Sequence, residues 1–361
     1  MNERFNPTIS DVASQAGVSK MTVSRVLNGK GDVSKETAAK VTSVIKDLGY
    51  RPSSMARGLV TGKTQTIGLL LTDVTSPFFA RLIRGIEDQA LAKGYSVVIC
   101  STAEDPAREM VAVRMLQDKR VDGIIWYGSR LPDKELRTVG RSVAAGVLVN
   151  RNCCIDNFGI MLLDYYRGAY AVTRHLLELG HRRIGLIKSP VFFDFTEEKV
   201  RGYSDALGEY GVQPATEWMV LGAHQETYRE LTSDTGETGD IVTDHHIRGG
   251  REAARVLLTE HPEITAIITC GDMVACGVLL ACRDLGRRVP DDLAVAGFGG
   301  TILSGVTCPP LTTVDLPLHR LGRAAFDLLV DIASSGTAPA SPQVFEPRLV
   351  VRSSTVPQGD R

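Results

Sequence analysis

The chain has 361 residues, more than one hydrophobic core normally serves, so we expect two or three domains. Its 43% hydrophobic and 23% charged residues are typical of a globular protein, and no apolar run approaches the roughly 20 residues that span a bilayer. The stretch MNERFNPTIS has no apolar signal core, and the seven cysteines form no CxxC pair. These features predict a cytoplasmic protein without a membrane segment, a disulfide framework, a metal site or a cofactor.

The formal net charge of −1 conceals a difference between two parts of the chain. Residues 1–63 contain ten Lys or Arg and five Asp or Glu, whereas the remainder contains 31 and 37. A small basic segment joined to an acidic body is typical of a polyanion-binding module attached to a second module.

The basic segment carries the patterns of three short helices. The sequence TISD, which begins at Thr8, is a helix-capping pattern, and Gly17 suits a left-handed turn at the end of that helix. Ser19 can cap a second helix, and Ser34 can cap a third that runs to about Leu48. Three short helices with a tight turn between the first two predict a helix-turn-helix.

In helix-turn-helix proteins, the N-terminal end of the second helix meets base edges in the major groove. Here Lys20 and Met21 occupy that end, and Arg25 follows one turn later. Arg25 and Lys20 can bond guanine acceptors, and Met21 can pack on a thymine methyl group. The alternative is an exposed helix with solvated cations. Short side chains suited to phosphate oxygens are Thr8, Ser19, Thr22, Ser24 and Asn28.

The stretch TISDVASQAGVSKMTVSRVLNGKGDVSKETAAKVTSVIKDLGYRP resembles the DNA-binding head of the lactose-repressor (LacI/GalR) family. The resemblance implies that Lys20, Met21 and Arg25 read bases. The next stretch, RPSSMARGLVTGKT, resembles the family's hinge helix, which forms when two protomers meet on DNA. Leu59 would then enter the minor groove as an apolar wedge, and the small Ala56 would let paired hinge helices approach.

From about Thr66, buried strands alternate with amphipathic helices, the pattern of doubly wound α/β units. The segments that start at Ile67 and Ile184 align without a gap at an offset of 117 residues (184 − 67). Arg84 aligns with Arg201 at the same offset. Two similar lobes would face each other across a cleft, since ligands in such sheets bind beyond the carboxyl ends of the strands.

The predicted fold is therefore an all-α helix-turn-helix head (1–50), a hinge helix and linker (51–65), and a two-lobed α/β core (66–361) of doubly wound parallel sheets. The family resemblance implies a periplasmic-binding-protein-like core that crosses between lobes three times, near Leu163, near Asp315 and within 333–340. The first lobe would comprise about 66–163 and 316–335, and the second about 164–315 and 340–355.

The same resemblance implies an effector site in the cleft. The implied site residues are Ser76, Pro77, Phe78, Asn150, Asp164, Arg201, His224, Gly271, Asp272 and Gly299. Arg201 would clamp effector hydroxyls or carboxylates through its planar guanidinium. Two positions depart from the family, which usually has Asn at Gly271 and Asp at Gly299. Their absence predicts an effector that is larger than a plain hexose, is anionic, or is recognised through other groups.

The segment 223–248 looks longer than usual in the family, and its composition predicts an exposed loop. His245 and His246 lie in it, but adjacent histidines without a third ligand are usually solvated, so we expect no metal there.

No nucleophile elbow, phosphate-binding loop or HExxH motif is present, so an enzyme is not expected. A solute-binding protein of a transport system would share the core but would need a signal peptide and no basic head. The sequence predicts a homodimeric transcriptional regulator, a repressor by family default, that binds a palindromic double-stranded DNA operator under control of a small polar effector such as a sugar or polyol. An activator or dual regulator remains the alternative.

Overall fold

The computed structural model describes residues 7–27, 32–50, 63–189, 194–222 and 241–356, without the side chains of 194 and 241–245. The chain divides into two compact units, residues 1–65 and residues 66–361. Four residues predicted to contact DNA or effector lie outside the described residues: Asn28, Ala56, Leu59 and His224.

The described part of the first unit contains three helices, α1 (Ile9–Ala16), α2 (Lys20–Leu27) and α3 (Lys35–Leu48). Thr8 and Asp11 form a reciprocal capping box, and Gly17 ends α1 in the left-handed conformation at φ 67°. The helices enclose a small apolar core, which is formed by Val12, Ala13, Ala16, Val23, Val41 and Val44. This packing holds α2 against α1 across a tight turn, as the helix-turn-helix prediction requires.

The second unit alternates strands and helices. Its strands are β1 (Thr66–Leu71), β2 (Ser96–Ser101), β3 (Gly123–Tyr127), β4 (Gly146–Val149), β5 (Phe158–Leu163), β6 (Ile184–Lys188), β7 (Met219–Leu221), β8 (Ala266–Thr269), β9 (Ala294–Gly299), β10 (Thr312–Asp315), β11 (Gln343–Phe345) and β12 (Arg348–Val350). Its helices are α4 (Pro77–Ala92), α5 (Pro106–Asp118), α6 (Asp133–Gly140), α7 (Tyr165–Glu178), α8 (Asp194–Glu209), α9 (Ile241–Glu260), α10 (Asp272–Asp284), α11 (Leu303–Val306) and α12 (Leu318–Ser335).

Within the described residues, the strands form two six-stranded sheets, one in each lobe. The strand order is β11-β5-β4-β3-β1-β2 in the first lobe and β12-β10-β9-β8-β6-β7 in the second. All pairings are parallel except that of β12 with β10, which is antiparallel. This arrangement confirms the predicted two-lobed, doubly wound α/β core.

The third crossing between the lobes lies later in the chain than the predicted 333–340. Strand β11 pairs with β5 in the first lobe, and β12 pairs with β10 in the second, so the chain crosses between Phe345 and Arg348. The sequence periodicity of two such short strands does not show which sheet each strand joins. Only the pairing of each with a strand far away in the chain decides that.

The internal repeat is visible as equivalent helix contacts. A Cβ on Gly85 of α4 would lie 2.2 Å from the carbonyl oxygen of His319, and one on Gly202 of α8 would lie 2.3 Å from that of Tyr166. These two glycines are also 117 residues apart in the printed sequence (202 − 85). Each lets its helix approach a neighbouring helix more closely than any side chain allows.

The interpretation of 223–248 as one exposed loop was wrong at its C-terminal end. Helix α9 begins at Ile241 and therefore includes His245 and His246, and the segment 223–240 lies outside the described residues. The helix begins with the polar run DHH, and its buried residues, such as Ala254 and Leu257, come only later. The first turns therefore show no apolar periodicity that would predict a helix. The described residues contain no cluster of His, Cys, Asp or Glu that could hold a metal ion, and none of their helices is both long and apolar enough to cross a membrane.

Candidate DNA-binding helix and ligand cavity

Helix α2 presents one face to its own core and another to solvent. Ser19 caps the helix by accepting a hydrogen bond from the backbone N–H of Thr22 at 3.1 Å, and Val23 is fully buried. Lys20, Met21 and Arg25 are all exposed. The structure therefore places the three predicted base-reading residues together on the outward face of one helix.

Arg25 already has a carboxylate partner in the head. Its Nη1 lies 3.1 Å from Oδ2 of Asp32, and both side chains are about half exposed. An exposed pair of this kind is weak, since water and salt screen it, so the guanidinium can exchange Asp32 for another acceptor.

Two of the predicted phosphate contacts also have structural roles. The hydroxyl of Thr8 donates to Oδ2 of Asp11 at 2.7 Å, and the hydroxyl of Ser19 lies 2.9 Å from that of Thr22. Their assignment as phosphate ligands stays a prediction, as does that of Thr22 and Ser24.

A cavity of about 170 Å³ lies between the lobes of the second unit. The first lobe contributes residues that follow β1 and β2 or begin α4, and the second contributes residues that follow β6 and β8 or begin α10. This is the carboxyl end of both sheets, where ligands of doubly wound folds bind.

Aromatic rings form much of the wall of this cavity, and both lobes supply them. These residues are Phe78, Phe79, Tyr127, Tyr165, Phe195 and Phe298. In the first lobe, the rings of Phe79 and Tyr127 meet edge to face with centroids 4.9 Å apart. In the second, Tyr165 stacks on Phe195 at 4.9 Å and on Phe298 at 5.8 Å. Such walls suit the flat or apolar face of a small molecule.

Lys199 of α8 is the buried cation of the cavity. Its side-chain Nζ donates to the carbonyl oxygen of Cys270 at 2.9 Å and lies 4.2 Å from the ring centroid of Phe298. Burial disfavours the charged amine and lowers the pKa of Lys199 to about 8.

Asp272 also lines the cavity, but its carboxylate is held by the protein. Oδ1 accepts a hydrogen bond from the Thr313 hydroxyl at 2.6 Å, and Oδ2 accepts two from Thr301, through its backbone N–H at 2.6 Å and its hydroxyl at 2.9 Å. Burial raises the pKa of Asp272, and these hydrogen bonds oppose the rise. The carboxylate thus connects α10 to the segment after β9 and to β10.

The structure brings four of the predicted effector residues to the cavity wall, namely Ser76, Phe78, Gly271 and Asp272. Pro77 occupies the first turn of α4 between two of them. Gly299 ends β9 at φ 125°, and a Cβ there would lie 3.4 Å from Phe78.

The other three described candidates lie outside the lining. Asn150 lies beneath it and donates to the hydroxyls of Tyr127 and Tyr165 at 2.7 and 2.9 Å. Asp164 caps α7 by accepting from the backbone N–H of Arg167 at 2.8 Å. Arg201 is exposed, with its guanidinium carbon 4.7 Å from the ring centroid of Tyr166.

The sequence analysis named Arg201 and not Lys199, which lies two residues earlier on the same helix and lines the cavity. Two residues along a helix correspond to about 200°, so the two cations point in nearly opposite directions. The buried face of α8 includes Thr196, Tyr203 and Ala206. These residues are three before, four after and seven after Lys199, and this helical spacing is the pattern that could have placed Lys199 on the buried face.

Three family models match the chain. The model of lacI-family bacterial regulatory proteins matches residues 8–53. The model of periplasmic binding proteins and the sugar binding domain of the LacI family matches residues 64–233, and that of a periplasmic binding protein-like domain matches residues 173–355.

Among known relatives, the chain is similar to a ribose operon repressor of Halalkalibacterium halodurans, with 36% identity over 351 residues that cover 96% of this chain and 97% of the relative. It is 33% identical over 349 residues to the HTH-type transcriptional repressor PurR of Edwardsiella ictaluri, covering 96% of each chain.

Two solved structures are similar over nearly the whole length. A Lac repressor dimer bound to operator and the anti-inducer ONPF shares 26% identity, covers 97% of this chain and 99% of its own, and has a TM-score of 0.81. A complex of the transcriptional regulator CelR with cellobiose shares 28% identity, covers 96% and 99%, and has a TM-score of 0.68. The chain belongs to the lacI family of bacterial regulatory proteins and is a DNA-binding transcriptional regulator with a ligand-controlled core.

Proposed function

We propose that this chain represses transcription as a homodimer on a palindromic operator, and that a small effector in the inter-lobe cavity controls its affinity for DNA. The observation that carries the DNA-binding part is the outward face of α2. Met21 is 66% exposed there, between Lys20 and Arg25. An exposed apolar side chain among cations suits a major groove, where a thymine methyl group adjoins acceptor atoms.

The homodimer and the palindrome are supported by symmetry. One short recognition helix contacts only a few base pairs, so a two-fold pair of heads reads two related half-sites about one helical turn apart or a multiple of it. The similar Lac repressor is a dimer bound to operator. Lys20, Met21 and Arg25 of each protomer would contact one half-site.

Control by an effector is supported by the composition of the cavity wall. Tyr127 of the first lobe and Tyr165 of the second both line the cavity, so a bound molecule contacts both lobes. A ligand that binds one arrangement of the lobes more tightly shifts the population towards it, by as much as the difference in affinity. The cavity rather than the head therefore determines which small molecule controls DNA binding.

The test is selection of DNA by the purified full-length chain from a random double-stranded library. We expect an enriched palindrome bound by two chains per duplex, which analytical ultracentrifugation of the complex measures. Enrichment of non-palindromic DNA, or one chain per duplex, would contradict the proposal. Fluorescence anisotropy of the labelled operator in the presence of candidate effectors then tests whether a ligand of the cavity changes the affinity for DNA. The comparison protein is Met21→Ala, which alters the head and retains the cavity.

A further inference from the structure

The ammonium of Lys199 is buried without a carboxylate partner among the residues that the structure describes. The side chain is only 9% exposed. Nζ lies 2.9 Å from the Cys270 carbonyl oxygen and near three ring centroids, those of Phe298 at 4.2 Å, Tyr165 at 5.0 Å and Phe195 at 5.4 Å. An ammonium has three N–H donors, and the carbonyl oxygen accepts from one of them.

The carboxylates that line the cavity already have partners in the protein. Asp272 accepts hydrogen bonds from Thr301 and Thr313. Asp73 accepts from a backbone N–H and a hydroxyl within its own turn, and Glu104 forms an ion pair with an arginine. Each carboxylate of the wall is therefore already engaged by groups of the protein, and none of them forms an ion pair with Lys199 among the described residues.

One position of the wall, Gly271, and one position beside it, Gly299, add no polar side chain. Gly271 is the N-cap residue of α10 and makes no side-chain cap bond, and a Cβ there would have its nearest neighbour at 3.8 Å. Gly299 faces Phe78. Lys199 is the residue of the wall that combines a buried amine with N–H donors beyond the one that the Cys270 carbonyl oxygen accepts.

We propose that the effector carries a carboxylate that binds Nζ of Lys199, and that an apolar face of the same molecule lies against the aromatic wall. This inference rests on the proposed function, because it takes the inter-lobe cavity to be the effector site.

The physical reason is the energy of a buried charge. The rings around Nζ compensate the lost hydration of the ammonium only in part, through cation–π attraction. A carboxylate that reaches the buried amine supplies the missing charge and accepts hydrogen bonds from its remaining N–H donors. A neutral polyol leaves the ammonium with only the cation–π contacts and the more distant charge of Asp272, and a ligand amine is repelled by it.

The experiment compares matched ligands on the full-length protein by isothermal titration calorimetry. The pairs are glucuronate with glucose and benzoate with benzyl alcohol, and glucose 6-phosphate distinguishes a phosphate from a carboxylate. We expect the dissociation constant of a carboxylate to be at least about tenfold lower than that of its neutral partner. One additional charged hydrogen bond produces a change of this size.

Three variants assign the effect to one amine. Lys199→Met should reduce carboxylate affinity by about tenfold or more, and Lys199→Arg should retain most of it, since a guanidinium also binds carboxylates. Arg201→Met is the matched control, because it removes an exposed cation from the same helix and should leave the affinity unchanged.

Tighter binding of the neutral partners, or a carboxylate affinity that Lys199→Met does not change, would overturn the proposal. Preference for glucose 6-phosphate over every carboxylate, or no carboxylate binding at all, would overturn it as well. Operator binding measured in parallel separates this inference from the proposed function. If only a neutral compound changes operator affinity, the inference that the effector carries a carboxylate is wrong, but the proposed effector-controlled regulator is supported. If a carboxylate binds through Lys199 without changing operator affinity, the proposed effector control of DNA binding is wrong, but the inference that the cavity binds a carboxylate is supported.

Discussion

The side-chain amide of Asn150 lies 2.9 Å from the hydroxyl of Tyr165, and this hydrogen bond joins the two lobes. Asn150 follows β4 of the first lobe, and Tyr165 begins α7 of the second. The same amide donates to Tyr127, and its oxygen accepts from the backbone N–H of Leu163 at the first crossing. Burial raises the pKa of Tyr127 to about 12 and that of Tyr165 well above its usual value, so both hydroxyls stay protonated.

Asn150→Gly should therefore destabilise the second unit by about 2–3 kcal/mol, because it leaves buried polar groups unpaired. Asn150→Ala should cost more, since Asn150 has a φ of 54° that a residue with a Cβ tolerates poorly. The measurement is urea unfolding followed by the fluorescence of Trp126 and Trp218, which both lie in this unit. Tyr127→Phe, which removes one hydroxyl, is the milder control. A wild-type midpoint for Asn150→Gly would show that this hydrogen bonding contributes little.

Lys199 should make the stability of the protein rise with pH between about 8 and 10.5. Its pKa is about 8 in the folded chain, against an ordinary value of 10.5. In that interval the unfolded chain binds more protons than the folded chain, so the free energy of unfolding increases with pH, by up to about 3 kcal/mol. Below pH 8 the amine is charged in both states, and the burial cost is fully present.

Lys199→Met lacks this dependence. We expect the variant to be more stable than the wild type at pH 7 and the difference to shrink towards pH 10. Urea midpoints of both proteins at several pH values measure that difference, in which the other titrating groups cancel. A difference that stays constant from pH 7 to pH 10 would contradict the lowered pKa.

Arg25 should contribute to specificity rather than to overall affinity. Arg25→Ala should lose about 1–3 kcal/mol on the selected operator and relax the preference at one base position. Anisotropy titrations with a set of single-base operator variants measure both effects. Lys46→Ala, an exposed cation on α3, is the control. An equal loss on every DNA sequence would assign Arg25 to the phosphate backbone instead.

Met21 should recognise a thymine methyl group. Replacing thymine by uracil at each operator position in turn should weaken wild-type binding by about 0.8 kcal/mol at one position, the value of one buried methyl-sized group. Met21→Ala should be insensitive to that replacement. Comparing the two proteins on both DNAs isolates the contact. If every uracil operator binds both proteins with the affinity of the thymine operator, Met21 makes no methyl contact.

The local features of the fold could be predicted from the sequence because they depend on residues only a few positions apart. Thr8 with Asp11, Ser19 with Thr22 and Gly17 occupy the cap and turn positions that their spacing indicates. The alternation of strands and helices and the 117-residue repeat likewise predicted two similar lobes, and the sheet order confirms them.

The ligand cavity could be predicted only in part. Its position followed from the sheet class, and Ser76, Phe78, Gly271 and Asp272 lie in its wall. The choice between Lys199 and Arg201 depended on which face of one helix packs inward. A motif match identifies the helix but does not show which of its faces is turned towards the cavity.

The sequence by itself thus determined the head, the repeat and the family, since capping, periodicity and motif spacing are properties of neighbouring residues. Only the tertiary structure decided that Lys199 is the cation of the cavity and that the carboxylate of Asp272 is held by Thr301 and Thr313, 29 and 41 residues away. It also assigned β11 and β12 to different lobes. The physical reason is that burial and charge pairing depend on groups from distant parts of the chain. These groups interact only when the lobes are folded and packed together.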